Sequence, residues 1–205
     1  TCSAVKPSVG VTSFSAQALP NNKPRSSLTS FHTEKIDMQF TKIGLIGYGE
    51  VGKTFALGLK EKPGVTSVAA WDLKLAAPTP LALQAAEQAH AAQHGIAAMG
   101  SMADLCAHSQ FIISAVTASN TLSVAQQAAQ RIQPGTVYLD LNSASPGTKQ
   151  ACAALIDAAG GIYVEAGVMT SVPPYGIKVP MLLGGAQSQS LAASDRKSTR
   201  LNSSH

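Results

Sequence analysis

Charge is scarce in this sequence. Asp, Glu, Lys and Arg make up 13% of the 205 residues, against 45% hydrophobic residues. That balance excludes a charge-swollen disordered chain and indicates a packed core. The net charge of +4 is not a basic face either. Met38 to Ser194 holds eight basic and eight acidic residues, residues 1–37 hold four and two, and residues 195–205 hold three and one, so the excess sits in the two ends. A neutral central stretch offers no electrostatic footprint for nucleic acid. No apolar run approaches the roughly 18 residues that a membrane-spanning helix needs. The sequence therefore reads as soluble and cytoplasmic, without a membrane partner. Cysteine is also rare. Cys2, Cys106 and Cys152 are odd in number, far apart and without a CxxC pair. This excludes a disulfide framework or zinc knuckle and leaves free thiols, Cys106 and Cys152 being read as small core residues. A metal site is not expected. His90 and His94 stand four apart, but there is no HExxH and the nearest acid is Glu87, so they read as a solvated helix face.

The two ends differ from the middle. Residues 1–37 are rich in Ser, Thr, Pro and Asn and lack an acidic residue before Glu34. A transit peptide has that bias but wants several Arg, and only Arg25 is present. The preferred reading is a native start at Met38, with residues 1–37 disordered and outside the fold. Ser194-Asp195-Arg196-Lys197-Ser198-Thr199 and the residues to His205 break from the Ala-rich chain before them. Residues 194–205 read as a foreign tail, which leaves 38–193 as the folded domain.

Between the ends, strand-like and helix-like segments alternate. Lys42–Gly47, Thr66–Trp71, Ile96–Met99, Phe111–Val116, Val137–Leu141, Gly161–Ala166 and Val179–Leu183 read as strands. Val51, Phe55 and Leu59 share one helix face. Pro80–His94, a short helix capped by Ser101, Thr121–Ile132 and a helix after Ser145-Pro146 follow. Trp71 and Phe111 are core residues. Such alternation predicts an α/β, Rossmann-like, doubly wound domain with a mostly parallel sheet.

The chemistry is carried by Gly47-Tyr48-Gly49-Glu50-Val51-Gly52. It follows a strand, opens a helix, and has an acid, Asp72, at the end of the next strand, 20 residues past Gly52. Together these are the features of a dinucleotide site. Gly47 permits the tight turn, Gly49 the approach of a pyrophosphate, and Gly52 close helix packing. Free N–H groups at the helix start face the phosphates. Asp72 accepts the adenosine ribose hydroxyls. That favours NAD over NADP, whose 2′-phosphate the carboxylate repels, although Lys74 offsets some of the repulsion. The same stretch, ending in Gly52-Lys53-Thr54, also satisfies GxxxxGK[ST]. A P-loop for a nucleoside triphosphate, with Asp140 serving magnesium, therefore stays open, as does a regulatory domain that only binds cofactor.

Ile43 to Gly52 matches the first strand and fingerprint of a known family. Asp140-Leu141-Asn142-Ser143-Ala144-Ser145-Pro146 resembles its Asp-x-Ser-Thr-x-x-Pro segment. Val164-Glu165-Ala166-Gly167-Val168 and Leu182-Leu183-Gly184-Gly185 resemble its substrate-loop strand and return strand. From Ile43 to about Ala186 the chain thus resembles the β-hydroxyacid dehydrogenases, which include the 3-hydroxyisobutyrate and 6-phosphogluconate enzymes. The resemblance implies hydride transfer between a hydroxy acid and a nicotinamide cofactor, NAD or NADP, in a homodimer. It adds Thr117 and Asn142 to the cofactor residues and places Ser143, Met169, Thr170 and Ser171 at the substrate. The chain departs from the family at two points. Met169, Thr170 and Ser171 replace a Ser-Gly-Gly loop, as in a divergent subgroup. The family's acid/base lysine and its asparagine partner sit on a helix after the Gly-Gly strand, within a helical domain expected to be missing here. The catalytic residue is accordingly unassigned, and Lys149 and Lys178 read as solvated surface lysines.

Overall fold

The computed structural model describes residues 16–18, 40–76 and 80–185. The expected start at Met38 and the tail at 194–205 lie outside the described residues. Among the described residues, eight strands and five α-helices follow one another: β1 (Ala16–Ala18), β2 (Lys42–Ile46), α1 (Glu50–Lys60), β3 (Ser67–Trp71), α2 (Leu81–Gln93), β4 (Ala97–Ala98), α3 (Met102–His108), β5 (Phe111–Ser114), α4 (Thr121–Ala129), β6 (Val137–Asp140), α5 (Pro146–Ala158), β7 (Ile162–Val168) and β8 (Met181–Gly184). They build one sheet in the order β1-β8-β7-β6-β5-β2-β3-β4. All neighbours are parallel except β7 and β8.

The central strands β2, β3, β5 and β6 are mostly apolar on both sides because both sides are covered. Ile43, Leu45, Phe111, Ile113, Val137 and Leu139 pack with Phe55, Ala56 and Leu59 of α1. The alternate residues Ile46, Ala69, Ile112, Tyr138 and Tyr163 pack with Leu105 and Cys106 of α3, Val124 and Ala128 of α4, and Cys152 and Ile156 of α5. Trp71, Phe111, Cys106 and Cys152 are core residues as expected. Burial pushes the Cys106 thiol up to about 11 and raises that of Cys152, so both are inert apolar filler.

Two of the helices, α3 and α5, start on side-chain caps. Ser101 accepts the Asp104 N–H at 3.1 Å and donates to the Asp104 carboxylate at 2.7 Å. Ser145 caps α5 on the Thr148 N–H, with Pro146 in the first turn. Ala16–Ala18, within the stretch placed outside the fold, pairs with Met181–Leu183 as an edge strand. Three residues, Ala-Gln-Ala, are too few to show an alternating pattern in sequence.

The topology fixes where a ligand fits. From β2 the chain winds outward through β3 to β4, then returns to the other flank of β2 and winds through β5, β6 and β7. The carboxyl ends of β2 and β5 therefore flank the switch point, where an open parallel sheet has its binding crevice.

Candidate functional site

The turn after β2 is tight because two of its glycines are enclosed by backbone. Gly47 has φ +97, and a Cβ there would lie 2.3 Å from the Ala115 carbonyl oxygen. A Cβ on Gly52 would lie 2.0 Å from the Gly47 carbonyl oxygen. Gly49 is different: its φ is −81, and a Cβ there meets nothing within 4 Å. Neither the fold nor the backbone requires glycine at that position, so the freedom is toward something outside the chain. Gly49 is also the N-cap of α1 and makes no side-chain cap. The N–H groups of Glu50, Val51 and Gly52 thus have no partner within the helix. An uncapped helix start beside an open glycine is an anion cradle.

Asp72 follows β3 and is tied to this loop. Its Oδ2 accepts the Tyr48 N–H at 2.7 Å and its Oδ1 the Lys74 N–H at 2.9 Å. The second bond caps a 3-10 turn, Leu73–Leu75. Each carboxylate oxygen keeps a further acceptor site, and the side chain is half-buried at the crevice's β3 flank. The residues present fit a dinucleotide: donors for a pyrophosphate, and a carboxylate for ribose hydroxyls.

The P-loop alternative fails on its own three residues. Lys53 pairs with Glu87 at 2.7 Å and lies over the Tyr48 ring at 5.4 Å. The Thr54 hydroxyl donates to the Glu50 carbonyl at 2.8 Å, within the helix. Asp140 is fully buried in an ion pair. The expectation that His90 and His94 form a solvated face is also corrected. His90 Nδ1 stands 3.2 Å from the Tyr48 hydroxyl, and its ring lies 4.4 Å from that of His94. Tyr48 is buried under α2, so its side chain clamps the glycine loop while its backbone lines the crevice. Burial, with Lys53 and His94 nearby and Glu87 opposing them, lowers the His90 pKa. Among the described residues, no group of three or more His, Cys, Asp or Glu is arranged to hold a metal ion.

On the β5 and β6 flank, Thr117 and Ser143 are exposed. Thr117 accepts from Asn120 at 3.1 Å and lies beside Ser119 at 3.2 Å. Asn142 is buried, and its amide bridges two strand ends. Oδ1 accepts the Val116 N–H at 2.6 Å, and Nδ2 donates to Ser114 at 2.9 Å. Beneath it lies a cluster that the sequence did not suggest. Lys149 donates to Asp140 Oδ1 and to the Asp140 carbonyl, each at 3.2 Å, and the Tyr163 hydroxyl donates to Oδ2 at 2.7 Å. Burial, together with the hydrogen bond to the Asp140 carboxylate and its charge, raises the Tyr163 pKa far above the usual phenol value, so the hydroxyl stays a donor. Lys149 is therefore not a surface lysine. It shares the buried stripe of α5 with Cys152 and Ile156, a spacing of three and four that was legible in sequence. Lys178 is exposed, as expected.

The β7–β8 connection is pinned from below by buried Val172, Ile177 and Val179. Met169 and Tyr175 are 60% and 53% exposed, and Thr170 and Ser171 are exposed with them. The connection follows the carboxyl end of β7, two strands from the switch point.

Comparison with known proteins agrees with this geometry. Residues 42–190 match the family profile of the NAD binding domain of 6-phosphogluconate dehydrogenase. No curated protein matches significantly. A conserved hypothetical protein from Sinorhizobium meliloti 1021 is similar at 32% identity and a TM-score of 0.70, over 82% of this chain and 55% of that one. A conserved protein of unknown function, described as structurally similar to 3-hydroxyacid dehydrogenases, is 26% identical with a TM-score of 0.58, over 75% and 54%. The 3-hydroxyisobutyrate dehydrogenase of Mycobacterium tuberculosis, solved with L-serine, shares the fold at 20% identity and a TM-score of 0.61, over 78% and 50%. The chain thus spans about half the length of these relatives.

Proposed function

The chain belongs to the family of the 6-phosphogluconate dehydrogenase NAD-binding domain, and from that membership we propose that it binds NAD for hydride transfer to or from a hydroxy acid. The observation that carries the reading is the open Cβ direction at Gly49 beside the uncapped start of α1. The pyrophosphate is held by the N–H groups of Glu50, Val51 and Gly52, with the helix dipole behind them. Glu50 is exposed and contributes its N–H rather than its carboxylate. Tyr48 and Gly47 shape the loop, and Asp72 takes the adenosine ribose. Thr117 and Asn142 lie on the nicotinamide flank, and Ser143, Met169, Thr170 and Ser171 border the substrate. When bound, the nicotinamide supplies the hydride chemistry, and the protein supplies orientation and shelter.

NAD is favoured over NADP because a 2′-phosphate would meet the Asp72 carboxylate, whose two oxygens already order the Tyr48 and Lys74 backbone. The test is an equilibrium titration with NADH, NADPH and magnesium–ATP. NADH is expected to bind about tenfold or more tighter than NADPH, a difference of about 1.4 kcal/mol, with no magnesium-dependent ATP binding. Equal or tighter NADPH binding overturns the preference, and tight ATP binding overturns the site.

The acid/base for the substrate hydroxyl is not assigned to a described residue. Lys149 is held by Asp140, and Lys178 lies on an exposed turn. Turnover of 3-hydroxy acids with NAD by this chain is therefore expected to fall about 10²–10⁴-fold below an ordinary dehydrogenase. Rates of roughly 1–10³ per second would place the acid/base within this sequence. The same reading gives the enzyme a homodimeric state and a cytoplasmic location, without nucleic-acid or membrane partners.

A further inference from the structure

Asn142 has both ends of its amide engaged, through Val116 and Ser114, and its own N–H donates to Asp140 Oδ1 at 2.8 Å. Its residue is 4% exposed. Asp140 is held in turn by Lys149 from α5 and Tyr163 from β7. A continuous set of polar contacts thus runs from the α5 side of the sheet to the backbone just after β5. That backbone abuts the glycine loop, since the Ala115 carbonyl is what a Gly47 side chain would strike.

The direction of a dinucleotide across this site follows from the strand order. Asp72 sits on the β3 flank and the anion cradle on β2, so the half of the cofactor beyond the pyrophosphate lies over β5 and β6. We propose that Asn142 is a positioning residue for the nicotinamide half, acting through the Val116–Thr117 backbone and itself oriented by Asp140, Lys149 and Tyr163. This rests on the dinucleotide reading above. An amide suits the task because one planar group offers an acceptor to the Val116 N–H and a donor to Ser114. A carboxylate there would set a second negative charge beside Asp140. Without the bridge, the loop after β5 must be ordered by the ligand, which lowers affinity for the half it contacts. The adenosine half, bound on the other flank, is indifferent to it.

Two ligands separate the halves. NADH reports the whole cofactor through nicotinamide fluorescence, and ADP-ribose, followed by calorimetry, reports the cofactor without nicotinamide. In the Asn142→Ala chain the NADH dissociation constant is expected to rise about tenfold, with the bound-nicotinamide emission shifted toward that of free NADH, for the loss of two neutral hydrogen bonds. ADP-ribose affinity stays within about twofold. Tyr163→Phe, a milder change that keeps the ring, gives the same pattern at about threefold. It carries the test if the first variant fails to fold. Equal losses for both ligands, or no loss for NADH, overturn the positioning role alone. A wild-type chain that binds neither ligand overturns the dinucleotide reading with it.

Discussion

Replacing Gly49 with alanine is expected to weaken dinucleotide binding about 100-fold while the protein stays folded. The added Cβ meets no atom of the protein, and the backbone there, at φ −81, is one that any residue adopts. The methyl group instead occupies the space a pyrophosphate oxygen needs to reach the helix start. Losing two charge-assisted hydrogen bonds at about 1.5 kcal/mol each gives about 3 kcal/mol, or roughly 100-fold. The fold loses less, because alanine is only a somewhat poorer N-cap than glycine, by about 0.5–1 kcal/mol. Gly52→Ala is the control with the opposite signature. Its Cβ would lie 2.0 Å from the Gly47 carbonyl oxygen, so helix and turn must separate. Overpacking of that kind costs about 1–3 kcal/mol, and binding falls with stability. Thermal melts and NADH titrations on the two variants separate the cases. Similar melting losses in both would show that Gly49 serves the fold and not a ligand.

Lys149→Met is expected to be the most destabilising single change on the α5 face. It leaves the Asp140 carboxylate fully buried, with only the Tyr163 hydroxyl and the Asn142 N–H for partners. Removing one member of a buried pair costs about 3–5 kcal/mol, a large part of the about 5–15 kcal/mol that holds a domain together. Adding Asp140→Asn should recover at least half of the loss. The asparagine is neutral, and its carbonyl oxygen still accepts one of the two hydrogen bonds. Urea unfolding of the single and double variants measures both. A loss below about 1 kcal/mol for Lys149→Met would mean that the pair behaves as a solvated one.

How much of this was legible in sequence depended on whether the signal was local. The glycine turn, its helix and Asp72 are a local pattern, and they come together as that pattern implies. The apolar strands and the Ser101 and Ser145 caps were legible for the same reason. What escaped was set by tertiary packing. Lys149 is charged, and charge was read as surface, although its spacing to Cys152 and Ile156 puts it on a buried stripe. The Tyr48–His90 contact joins residues 42 apart, and nothing local announces it. The amide of Asn142 is engaged by Val116 and Ser114, 26 and 28 residues away, which again nothing local announces. The P-loop pattern shows the reverse hazard. Lys53 and Thr54 satisfy its letters, but Glu87 and the Glu50 carbonyl hold their side chains.

The central claim is that a nicotinamide dinucleotide sits on the start of α1 with its adenosine ribose at Asp72. Amide chemical shifts of the isotopically labelled chain, followed while NAD is added, test it residue by residue. The N–H resonances of Gly49, Glu50, Val51, Gly52 and Asp72 are expected to move together and to saturate on one binding curve. Lys178, which lies on an exposed turn, should stay still. Shifts that are absent at millimolar NAD, or that cluster away from the turn after β2, would contradict the account.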